Sequence, residues 1–142
     1  MQPTSLSGDE RLHRGMERLA AVDGAAGQAV VEALGRDFPD FARYVLEFPF
    51  GDIYARPGLS LRDREIATVA ALCALGHAGP QLRVHLHAGL HVGVAPAELV
   101  EVLMQMAVYA GFPAALNGLA LLRSVCEERG VPLPAQQAAP AC

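Results

Sequence analysis

Two polar side chains stand at positions where a helical pattern requires apolar ones. At about 100° per residue, the stretch from Leu61 places Ile66, Val69, Leu72 and Cys73 on one stripe, and Glu65 lies inside it. The stretch from Gly79 forms an apolar arc of Leu82, Val84, Leu86, Ala88 and Val92, with His85 near its centre. A carboxylate and an imidazole on the core-facing stripes of consecutive antiparallel helices would meet between them. Such a pair suits proton transfer, because imidazole titrates near neutrality and a carboxylate fixes its tautomer. Burial would raise the carboxyl pKa, and a neighbouring imidazolium would lower it. The plainer alternative is a hydrogen-bonded core pair, since buried charge is tolerated when partnered. The chemical reading is stronger for Glu65, because an unpaired carboxylate in apolar surroundings costs several kcal/mol.

Other polar groups lie around this pair. Arg83, His87 and His91 recur at four-residue steps on the opposite side of the His85 helix. Arg83 would clamp a substrate carboxylate if it faced a site. His87 and His91 have the spacing of two metal ligands, as do Cys73 and His77 across a helix end. No nearby residue supplies an obvious third ligand to the histidine pair, so no metal is expected. Gln105 and Tyr109 are one helical turn apart and would offer donors to a substrate oxygen; alternatively, Gln105 only contacts Glu101. There is no glycine-rich nucleotide loop, and no Ser or Cys in a nucleophile-elbow context. Any catalysis is therefore expected to be acid–base and electrostatic, without a cofactor.

The elements that must position these groups read as helices throughout. Leu12, Met16 and Leu19 mark a helix over 9–22, and Val30, Val31 and Leu34 a second over 25–37. Phe38-Pro39 opens a third, which Phe48-Pro49 is expected to end, followed by a non-helical connector from Phe50 to Gly58. Ser60 and Asp63 have capping-box spacing before a helix over 61–75 that stops at Gly76. Gly79-Pro80, Pro96 and Pro113 open three more, ending near Gly93, Gly111 and Arg129. About seven helices with short connectors predict an all-α bundle in one domain over 9–129. The tails, 1–8 and 130–142, are expected to be loosely attached.

Composition narrows the function classes. Of 142 residues, 52% are apolar and 18% charged, the latter below the usual quarter. This excludes intrinsic disorder, and the apolar excess predicts a buried subunit interface. A net charge of −4 with no basic run argues against nucleic acid and against an anionic membrane surface. Three cysteines, Cys73, Cys126 and Cys142, form neither a disulfide framework nor a C-x-x-C pair. Residues 102–122 carry no charge, but Gln105, Asn117 and the Gly111-Phe112-Pro113 break make them two helices rather than a membrane span. With no secretory pattern in Met1–Glu10, the expected compartment is the cytoplasm.

The run over 59–119 carries RxREI, LRxHxxxGLxxGV and QxAVYAGFPAALN in succession. With the preceding FGDIYARPG, it resembles the carboxymuconolactone decarboxylase family, the decarboxylase-like branch of the alkylhydroperoxidase D-like superfamily. The resemblance covers Phe38 to Arg129. It implies an all-helical fold assembled into ring-like trimers or hexamers, and cofactor-free loss of CO2 from a carboxylated γ-lactone. Glu65 and His85 match the family's polar active-site positions, and Tyr109 and Asn117 lie in its YAGFPAALN signature. The peroxidase-partner branch carries a C-x-x-C pair upstream of its His. Here Ala78 and Gln81 stand seven and four residues before His85, so thiol–disulfide chemistry is not expected. The resemblance leaves two other readings open: a relative turned to another lactone or keto acid, and a non-catalytic oligomeric scaffold.

Overall fold

A computed structural model describes residues 7–135, so the expected tails fall largely outside the described residues. Six helices and one π-helical stretch make up the fold, with no strand among the described residues. The first helix, α1, runs from Gly8 to Asp37 and is capped by Ser7, whose hydroxyl accepts from the Glu10 backbone N–H while Glu10 reaches back to the Ser7 backbone. It is broken at Gly24, where φ of 58° and ψ of −143° lie in a region open essentially to glycine alone. The two helices expected over 9–22 and 25–37 are thus the arms of one kinked element.

The third helix departs from expectation. After α2 (Pro39–Val45) the chain does not stop at Phe48-Pro49 but continues as a π-helical stretch over Leu46–Ile53. In an α-helix, proline loses one hydrogen bond and presses its ring against the carbonyl four residues back. Widening the turn to i→i+5 relieves that crowding, and the Tyr54 N–H donates to the Pro49 carbonyl at 2.8 Å. The first four of the nine residues expected as a connector, Phe50–Ile53, are therefore helical.

The second half matches the sequence closely, with α3 over Leu61–Leu75, α4 over Gly79–His91, α5 over Pro96–Ala110 and α6 over Phe112–Arg129. The Ser60 hydroxyl caps α3 by accepting from the Asp63 N–H at 3.0 Å, and Gly76 ends it at a φ of 74°. No helix among the described residues is long and apolar enough to cross a membrane.

Two cores result. Helices α3 to α6 enclose Val69, Leu86, Leu99, Leu103, Leu122 and Val125, all fully buried. Each leucine taken from water contributes roughly 2 kcal/mol. The second core joins α1, the π-helical stretch and α4 through Leu19, Val22, Leu46, Phe50 and Ala88. Helix α4 serves both, so the residues between its two apolar faces lie on the seam.

The wall on the α1 side is set by backbone contact. A Cβ at Gly15 would lie 2.1 Å from the Leu46 carbonyl oxygen, and one at Gly51 would lie 2.7 Å from that of Arg11. The two elements approach through these glycines, and Arg11 and Arg14 both pair with Asp52 beside the contact.

Candidate active site

Glu65 sits on the second turn of α3 and is fully buried, with a partner on each oxygen. Its Oε2 lies 2.8 Å from His85 Nδ1, and its Oε1 accepts from the Tyr54 hydroxyl at 2.9 Å. That hydroxyl also lies 2.8 Å from Thr68 Oγ1, one helical turn beyond Glu65. The carboxylate is therefore held between α4 and the end of the π-helical stretch, and hydrogen bonds offset its desolvation.

His85 is mostly buried, with 21% of its side chain exposed. Burial alone would lower its pKa, but the hydrogen bond to Glu65 and the charges of Glu65 and Asp23 outweigh that and hold it above the usual imidazole value. Since Nδ1 is committed to Glu65, Nε2 is the nitrogen left for a ligand. His85 borders a hollow of about 360 Å³ between α1, the π-helical stretch and α4. Leu19, Val31, Val45, Phe50 and Val84 make the walls apolar, and the exposed Val30 marks the rim. The polar groups in the lining are Asp23, Gln81 and His85. The volume and lining suit a small ring compound with a few polar substituents.

Asp23 was not among the residues singled out from the sequence. It stands directly before the Gly24 break, and its pKa is pushed up to about 6, chiefly by burial and further by Glu65, against the opposing effect of His85. Tyr54 has its pKa raised by burial and by the Glu65 charge, so it stays a neutral hydroxyl. The sequence held a signal for Asp23, which falls four residues after Leu19 on the Leu12–Met16–Leu19 stripe. Tyr54 had no such signal, because it lay in what read as a connector.

The four residues expected to bind substrate are not brought to this hollow within the chain. Arg83 bonds Ser124 at 3.2 Å and pairs with Glu128, both on α6. Two residues before His85 on one helix is about 200° around it, and so the opposite face. Gln105 and Asn117 are exposed and Tyr109 is 78% exposed, because α5 and α6 pack on α3 through other residues. His87 pairs with Glu128 at 3.3 Å, and the Cys73 thiol donates to the Ala114 carbonyl at 3.4 Å. His77 Nδ1 lies 2.8 Å from the Leu75 carbonyl oxygen, and His91 packs beside Gly24. No group of three or more metal-ligating side chains occurs among the described residues.

The chain is 30% identical over 129 residues to the 4-carboxymuconolactone decarboxylase of Acinetobacter baylyi, an alignment spanning 90% of this chain and 84% of that protein. It is also 30% identical over 120 residues to an uncharacterized 15.0 kDa protein of Paracoccus denitrificans, covering 84% of this chain and 90% of that one. A third relative, the nitrosuccinic acid decarboxylase of Metarhizium robertsii, is 26% identical over 117 residues, covering 78% and 81% of the two chains. Residues 39–124, which include both Glu65 and His85, match the family pattern itself, and the chain belongs to the carboxymuconolactone decarboxylase family.

Proposed function

We propose that this protein is a cofactor-independent decarboxylase acting on a carboxylated γ-lactone of the 4-carboxymuconolactone kind. The observation that carries this reading is the buried Glu65–His85 pair with its open ring nitrogen at the edge of an apolar hollow. In such a substrate the C–CO2 bond breaks heterolytically, and its electron pair passes through the ring double bond to the lactone carbonyl oxygen. CO2 leaves, and a dienolate remains. The imidazolium of His85 lies beside this negative charge and transfers its Nε2 proton to carbon, then regains one from water. Glu65 keeps Nδ1 protonated and the ring fixed. Because the substrate supplies the electron sink, no added cofactor is needed.

The test is incubation of the purified protein with 4-carboxymuconolactone, following lactone absorbance and released CO2. Loss of absorbance with one CO2 per lactone is expected, and an unchanged spectrum at micromolar enzyme would reject this substrate. The name of the Metarhizium robertsii relative supports a second reading, in which the same site decarboxylates a different activated acid. Release of CO2 from such an acid but not from the lactone would favour it.

Self-association into a trimer or hexamer belongs to the same proposal. Phe38, Phe41, Tyr44 and Phe48 remain exposed along α2 and its continuation, as do Met104, Val108, Tyr109, Phe112 and Leu116 where α5 meets α6. Apolar area on this scale suits a partner surface, and a second copy of the chain would cover it. Sedimentation of a monomer at micromolar concentration would reject self-association.

A further inference from the structure

The Asp23 carboxyl has a task that neither the Glu65–His85 pair nor the family match assigns. Its Oδ1 is buried without a hydrogen-bond partner. Asp23 lines the same hollow as His85. Gly27 keeps the space beside it clear, because a Cβ there would lie 2.8 Å from Oδ2 and 2.2 Å from the Asp23 Cβ. An ionised carboxylate spreads its charge over both oxygens, and here one of them is buried and has no donor among the described residues, which disfavours that form. The neutral acid suits the geometry better, with the orphaned Oδ1 as the carbonyl oxygen and the proton on Oδ2, on the Gly27 side of a residue that lines the hollow.

We propose that Asp23 is a substrate-binding residue that works as a carboxylic acid, donating a hydrogen bond from Oδ2 to an oxygen of the anionic ligand, so that binding takes up a proton. The role rests on the reading of the hollow as the site of a carboxylated substrate. The titratable groups facing Asp23 are His85 from α4, Glu65 from α3 and Tyr54 after the π-helical stretch. His91 lies against the adjacent Gly24. An anion entering beside Glu65 and Asp23 adds negative charge, which favours the protonated acid still further. The raised pKa of about 6 agrees with this assignment and sets the pH range.

The probe is 5-oxotetrahydrofuran-2-carboxylate, a saturated lactone acid with no double bond to accept the electron pair, which therefore binds without reacting. Calorimetry in two buffers of different ionisation enthalpy measures protons taken up per ligand bound. For the wild type, uptake approaching one proton is expected at pH 7, with affinity falling about tenfold per pH unit above 6, as the competent protonated fraction shrinks. Asp23→Asn keeps a donor of the same shape that does not titrate. It is expected to lose that share of proton uptake and, at pH 8, to bind the probe at least tenfold more tightly than the wild type. Equal proton uptake in wild type and Asp23→Asn overturns the proposal, as does weaker binding by the variant at pH 8. Failure of millimolar probe to bind the wild type at pH 6 overturns it too. If the variant does not fold, a carbon-13 titration of Asp23 in the wild type decides. A signal in the carboxylic acid position at pH 7 with probe bound supports the role, and one in the carboxylate position overturns it. These readouts do not involve turnover, so a failed lactone assay alongside proton-linked binding would reject the reaction and leave Asp23's role standing.

Discussion

Replacing His85 by asparagine is expected to lower kcat about 10²- to 10⁴-fold, the usual range for loss of a positioned proton donor. The choice of asparagine separates chemistry from folding. Its amide can still donate to Glu65 Oε2, where Nδ1 now lies at 2.8 Å, so the buried carboxylate keeps a partner. An amide has no proton to give at neutral pH, however, and carries no charge to set against a dienolate. The variant should therefore melt within a few degrees of the wild type while turning over far more slowly on whichever acid the wild type decarboxylates. A kcat within a few-fold of wild type, in a variant with native circular dichroism, would show that carbon receives its proton elsewhere.

The second large effect is on stability. Glu65→Ala removes the shared acceptor of Tyr54 and His85 and leaves both groups, with a cavity, at the seam of the two cores. Breaking a buried pair by deleting one partner typically costs about 3–5 kcal/mol, which a denaturant midpoint would register clearly. The pH dependence has a definite sign. The folded-state pKa of His85 is raised, so the stability this pairing contributes is fully present below the unfolded imidazole value of about 6.5 and is lost as pH rises through the higher folded value. The penalty for Glu65→Ala should thus be larger at pH 6 than at pH 9. A penalty under about 1 kcal/mol, or one that grows with pH, would contradict the ion-paired arrangement. The isosteric Glu65→Gln should instead fold and show its effect in kinetics: without the carboxylate charge His85 releases its proton more readily, and the alkaline fall of kcat moves to lower pH.

Glu65 and His85 were legible in the sequence because each violates the periodicity of its own helix, and a buried violation needs a partner. One helical wheel was enough to find each of them. The residues expected to contact substrate lie away from the hollow for a related reason. A wheel separates inward from outward, but it does not say which of several neighbours lies behind a given face. Arg83 faces α6 and Glu128 rather than α1, and Tyr109 is exposed among the described residues. Two neighbours of the pair lie beside breaks in regular helix, Tyr54 after a widened turn and Asp23 before a glycine, and only Asp23 falls on an apolar stripe. The fold itself was easier to read, because proline at helix starts and glycine at helix ends mark most boundaries in the second half of the chain. Pro49 was the exception, a residue that ordinarily stops a helix and here widens it.

That widening also acts as an angular adjustment. Gly51 must turn its bare backbone towards α1, while Tyr54, three residues later, must turn its phenol towards α3. Successive residues of an ordinary helix advance by about 100°, so the one surplus residue in the wide turn decides where the phenol points. Tightening the turn by a single residue would swing Tyr54 through roughly that angle and carry its hydroxyl off the carboxylate, even with every side chain unchanged. In this protein the aim of the phenol that holds Glu65 is thus set by how many residues the backbone spends on one loop of its coil.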